Sequence, residues 1–152
     1  MAKEGEKKIS KKRSVQGKKN RAAGARFEAK VRVHLEKLGW IVSKWMNTVD
    51  FEKEGGTGKL APAKRKYNPY KRALGIGNGF PDFVCIKKRG EKYDVIGVEV
   101  KRNGYLDKTE RAICHWIIQN KIFRRILIAK SGEKRGEIEY VDFEKKYIQK
   151  ND

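Results

Sequence analysis

The chain has 152 residues and carries 38 Lys and Arg against 19 Asp and Glu, a formal net charge of +19. That length suits one domain, and an excess of one sign on this scale repels itself in the compact state unless a polyanion, nucleic acid first of all, binds in use. With 38% apolar residues a core is within reach, so disorder of the whole chain is excluded.

No run approaches the roughly 18 apolar residues of a membrane span, and residues 1–20 contain no apolar signal core. Cys85 and Cys114 stand apart without a CxxC pair, which fits a reducing compartment. An intracellular protein, cytoplasmic or associated with the nucleoid, is therefore expected, with no membrane partner. Abundant Lys, Arg and Glu beside only three Gln lean toward a thermophile.

Residues 2–21 hold nine basic residues, two acids and almost nothing apolar, so residues 1–20 read as a flexible basic arm. Residues 21–152 then form a single domain. Phe27, Val31, Leu35 and Leu38 recur at helical spacing, and Gly39 is a stop, which predicts a helix over about 21–38. A strand follows over 40–46. The stretch from about 50 to 78 reads as a long basic loop, because residues 59–72 carry six basic residues and no acid, interleaved with Pro62, Tyr67, Pro69 and Tyr70, without helical or strand period. Two strands are expected over 82–88 and 93–102, joined by a turn at Gly90-Glu91. Asp107 and Glu110 form a capping-box pattern that opens a helix carrying Ile113, Trp116 and Ile117. Residues 125–130 and 137–143 read as two further strands. The fold class is α/β, with the order α-β-β-β-α-β-β and no internal repeat.

The hairpin turn fixes a register. If Arg89 faces Lys92 across a two-residue loop, Asp82 faces Glu99. Side chains alternate along a strand, so Glu99 and Lys101 share one face, Val98 and Val100 take the other, and Asp82 joins its partner. At about 5 Å and an effective dielectric near 20, two ionised carboxylates repel by roughly 3 kcal/mol, which calls for a cation or a proton. Oxygen-only ligands favour Mg²⁺, with Mn²⁺ as a substitute, over zinc. On the first helix Glu28 projects about 20° from Leu35 and can lean over the same site; its alternative is a solvated acid paired with Arg32 at i+4.

Gly79-Phe80-Pro81-Asp82, then Glu99-Val100-Lys101 after sixteen intervening residues, resembles the motif of the PD-(D/E)xK nuclease superfamily. Glu28 in Gly24-Ala25-Arg26-Phe27-Glu28 is similar to its first acidic position. Gly-Phe-Pro-Asp-Phe, Glu-Val-Lys and Gly104-Tyr105-Leu106 before a helix resemble the VRR-NUC branch, with archaeal Holliday-junction resolvases a near relative, over about residues 20–130. Glu110 stands where that pattern usually has Gln.

The resemblance implies a restriction-endonuclease-like core, a central mixed sheet flanked by helices. It also implies Mg²⁺-dependent hydrolysis of DNA phosphodiesters, as by an endonuclease of repair or recombination; 152 residues leave little room for a separate sequence-reading domain, which adds the expectation of selectivity for branched or junction DNA. By position, Asp82 and Glu99 would hold the metal with help from the Val100 carbonyl, Glu28 would bind a second ion or a water of the first, and Lys101 would orient or activate the attacking water. Resolvases of this kind work as dimers, so a homodimer is among the expectations.

Glu-x-Lys by itself carries little, since Glu6/Lys8, Glu28/Lys30 and Glu144/Lys146 also match; only Glu99/Lys101 ends an apolar strand. Glu110 reads as a helix cap. His34, His115, Cys85 and Cys114 lie on separate elements without zinc spacing, and Trp40, Trp45 and Trp116 read as core. Lys18, Lys19 and Arg21 of the arm are candidate phosphate contacts. In the loop, Lys64, Arg65, Lys66, Lys71 and Arg72 with Tyr67 and Tyr70 suit backbone contact and base stacking, against a plain surface loop. The rival functions are a non-catalytic nucleic-acid-binding protein that keeps the fold, and a ribosome- or chromatin-associated basic protein.

Overall fold

The structure, a computed structural model, describes residues 2–51, 57–64, 66–68, 73–75 and 79–149, with the side chains of residues 2–8, 10, 11, 66–68 and 73–75 left aside. In chain order the elements are α1 (Ala2–Lys37), β1 (Ile41–Lys44), β2 (Asn47–Asp50), β3 (Lys59–Pro62), β4 (Lys66–Asn68), β5 (Ala73–Gly75), β6 (Phe83–Arg89), β7 (Lys92–Val100), α2 (Lys108–Gln119), β8 (Ile126–Ser131), β9 (Ile138–Asp142) and α3 (Phe143–Tyr147).

Five strands form one mixed sheet in the order β1-β6-β7-β8-β9. β1, β6 and β7 pair antiparallel, β7 and β8 run parallel, and β9 returns antiparallel. The parallel step needs a crossover, which α2 supplies. These five strands are the ones the sequence pattern predicts, and helices cover both faces. α1 lays Val31 and Leu35 on one face, against Val42, Phe83, Cys85, Ile96 and Val98. α2 lays Ile113, Cys114 and Ile117 on the other, with Ile126, Ile128 and Phe143. Each fully buried Leu or Ile contributes about 1.5–3 kcal/mol relative to exposure, so these contacts fix both helices to the sheet.

Three sequence expectations change. The helix begins at Ala2 and not near residue 21, so the segment read as a separate arm forms the first turns of α1. Residues 2–37 contain no proline and are rich in Lys, Arg, Glu and Ala, which favour helix without any apolar stripe. At the other end, Leu38 is 48% exposed instead of core. The helix has stopped at Lys37, and Gly39, at φ 91°, turns the chain so that Trp40 is buried in its place. Finally, the expected long loop contains the strand β3, which pairs back onto β2 just before it, and one small hairpin, β4 with β5. Short pairings of this kind satisfy backbone hydrogen bonds without an alternating apolar pattern. No helix among the described residues is long and apolar enough to cross a membrane.

Candidate active site

The β6–β7 ladder runs from Arg89↔Lys92 to Phe83↔Val98, the register the two-residue turn predicts. Asp82 and Glu99 come one step past its last pair, where side chains take over from the backbone. The Asp82 N–H donates to Glu99 Oε2 at 3.0 Å, and the Val100 N–H donates to Asp82 Oδ2 at 2.9 Å. Phe83, Ile96 and Val98 belong to the α1 face, so Asp82 and Glu99 alternate to the α2 face.

The segment before Asp82 is pinned from both sides. The Phe80 N–H donates to the Asn47 carbonyl and the Trp45 N–H to the Asp82 carbonyl, at 2.9 and 3.0 Å. A Cβ on Gly79 would lie 2.3 Å from the Trp45 carbonyl oxygen, and one on Gly97 would lie 2.9 Å from Pro81 and from Phe123. Both positions therefore need the close backbone approach that only glycine allows.

Glu99 is 5% exposed. Burial, and then the nearby Asp82 carboxylate, push its pKa up to about 9 against the pull of Lys101. Asp82 is also held above the usual carboxylate range by burial, with Glu28 adding to the rise, while the Val100 N–H and Lys44 pull the other way. Two acids so placed at neutral pH require a shared proton or a bound cation.

Lys101 follows β7, and its Nζ donates to Glu110 Oε1 on α2. Burial alone would lower its pKa, but the Glu110 carboxylate outweighs that, and Lys101 is held above the ordinary lysine range. Glu110 does two jobs. Its Oε2 accepts from the Asp107 N–H at 2.9 Å while its own N–H donates to Asp107 Oδ1 at 2.8 Å, closing the capping box of α2. The sequence identifies the cap; the second oxygen's grip on Lys101 depends on how α2 packs against β7, which no local pattern reports.

Glu28 is on α1, across the sheet, and its Oε1 takes Lys44 Nζ at 2.7 Å. Its partner is thus Lys44 and not Arg32, which pairs with Glu36. Glu28 reaches the two acids through its field on Asp82 and makes no hydrogen bond to either. Val100 enters the site through its N–H.

Among the described residues no group of three or more His, Cys, Asp or Glu side chains is arranged around a common metal position. Asp82 and Glu99 each keep a carboxylate oxygen beyond the one bonded to a backbone N–H. Two hard oxygen donors fit Mg²⁺, which commonly takes one or two carboxylates and completes its shell with water and phosphate. Cys85 and Cys114 sit in the cores on opposite faces of the sheet. His34 bonds the Tyr140 hydroxyl at 2.8 Å.

Of the expected nucleic-acid contacts, Lys18, Lys19 and Arg21 are exposed on α1 and Lys64 is exposed after β3. Lys66 and Tyr67 lie in β4, while Arg65, Tyr70, Lys71 and Arg72 lie outside the described residues. No protein-family model, curated protein or solved structure matches this chain, which leaves its own residues to carry the functional reading.

Proposed function

We propose that the protein is a Mg²⁺-dependent DNA endonuclease with a restriction-endonuclease-like core, structure-selective for branched or junction DNA. The observation that carries the reading is the reciprocal bonding of Asp82 and Glu99 across β6 and β7, with Lys101 two residues on. Support also comes from the element order around the mixed sheet, α1-β1-β6-β7-α2-β8-β9, and from a net charge of +19, which attracts a phosphate backbone.

In this reading Asp82 and Glu99 hold the cation. When bound it polarises the phosphoryl oxygen and stabilises the leaving oxygen. Lys101, kept as an ammonium by Glu110, orients the attacking water and offsets charge on the phosphate. Glu28 and Lys44 form a pair whose two charges act on Asp82 in opposite directions.

The test is cleavage of labelled linear, flapped and four-way-junction DNA with Mg²⁺ or with EDTA, using wild type, Asp82→Ala and Lys101→Ala. Wild type cuts in Mg²⁺ only, and both variants bind but lose at least about a hundredfold in rate, the scale of losing one preorganised electrostatic group. Undiminished cutting by Asp82→Ala removes the mechanism. Intact DNA with wild type in Mg²⁺, together with undiminished binding, favours the non-catalytic nucleic-acid-binding protein.

A further inference from the structure

An open cleft of about 560 Å³ lies between α1 and the end of β7, lined in part by Asn20, Gly24 and Phe27 on the helix and by Lys101, Arg102 and Asn103 on the strand side. Lys101 is common to its lining and to the candidate active site, although the Lys101 amine itself is turned to Glu110 on α2. Its walls are not made of cations alone. The Phe27 ring carries the Arg102 guanidinium 5.8 Å from its centroid, and this pair of flat surfaces suits stacking by a planar heterocycle. Asn20 and Asn103 add side-chain amides to the lining, the Asn103 side-chain carbonyl accepting from the Tyr105 N–H at 3.0 Å, which leaves amide donors to meet the edge of a base. The Asn20 carbonyl accepts from Gln16 at 3.0 Å, which holds that amide in place.

Gly24 adds to the case. Glycine is the poorest helix former after proline, and a Cβ at this position would meet nothing within 4 Å, so packing within the chain does not call for it. A Cβ here would instead enter open space at the cleft, whose lining includes Gly24.

The occupant is chosen by charge. Lys18, Lys19, Arg21, Arg26 and Lys30 line the same helix, and a polyanion is the complement. We infer that the cleft is a nucleotide slot, which accepts the base of one unpaired nucleotide in a strand that runs past Lys101. The inference rests on the reading of Asp82, Glu99 and Lys101 as a phosphodiester site, but it concerns binding of the base and needs neither metal nor hydrolysis.

The test is fluorescence anisotropy in EDTA with a short fluorescein-labelled single strand of mixed sequence, intact or carrying one abasic position scanned along its length. Gly24→Leu fills the slot while improving helix propensity, so its thermal midpoint stays level or rises. Its affinity falls by about five- to a hundredfold, the range for losing one stacked base. Wild type shows a loss of similar size when the abasic position occupies the slot, and Gly24→Leu shows none. Arg102→Ala, at an exposed position, weakens binding in the same way. Wild-type affinity in Gly24→Leu overturns the slot, as does abasic sensitivity that survives the substitution. Cutting is read separately, on the same intact strand in Mg²⁺. The nuclease reading can therefore fail in Mg²⁺ while the slot stands in EDTA, and the reverse.

Discussion

Replacing Glu99 by Gln tests the electrostatics of the site without relying on catalysis. The folded protein holds this carboxyl near pKa 9, while its ordinary value is 4.5. A group whose folded pKa is raised adds stability that is fully present below the unfolded value and is lost as pH climbs toward the folded one. At pH 7 without metal, folding must bring a proton onto Glu99, which costs up to about 3 kcal/mol at about 1.4 kcal/mol per pH unit. Gln has nearly the same shape, carries no charge, and its carbonyl can still accept from the Asp82 N–H. Glu99→Gln is thus expected to be more stable than wild type in EDTA, by little at pH 5 and by up to about 3 kcal/mol at pH 7. The gap should keep widening until near pH 9. Urea unfolding across that range measures it, and Mg²⁺ should stabilise wild type while leaving the variant unmoved. A gap that stays constant with pH would refute the reasoning.

Other variants probe separate parts. Asp94, 6% exposed at its side chain, takes Arg124 Nε and Nη2 at 2.7 Å each. Asp94→Asn should cost about 2 kcal/mol at neutral pH. Because Arg124 depresses the Asp94 pKa below 3.8, the contribution is present above that value and fades as pH falls, so urea midpoints of variant and wild type should converge in acid. Glu110→Ala removes half of the capping box and should lower stability by about 1 kcal/mol, with Glu110→Gln restoring the thermal midpoint by keeping the cap. Deleting residues 1–20 should flatten the log–log salt dependence of DNA binding by about 0.9 for every phosphate that is no longer neutralised; an unchanged slope shows that the first turns of α1 touch no phosphate.

The parts of the fold legible in the sequence were those with a local rule. The turn at Gly90-Glu91 fixed the β6–β7 register, and the register placed Asp82 opposite Glu99. The apolar period of Phe27, Val31 and Leu35 located the half of α1 that touches the sheet. Amphipathicity reports only where a helix packs, so the start of α1 at Ala2, a matter of propensity, went unread. β3, with Lys59, Leu60, Ala61 and Pro62, has no buried face to create alternation. The partners of Glu28 and Glu110 are set by how α1 and α2 dock, and Lys44 and Lys101 lie sixteen and nine positions away along the chain.

The two acids are fastened to the backbone of each other's strand, so their placement obeys the same count of residues as the hairpin itself. The loop that sets this count lies at the opposite end of β6, seven residues and about 23 Å away. A slip of one residue in that register would shift every partner on β7 and carry Glu99 to the far side of the sheet. The placement of the two acids is thus coupled to a remote, solvent-facing bend, and a library varying the length of that bend alone would test the coupling.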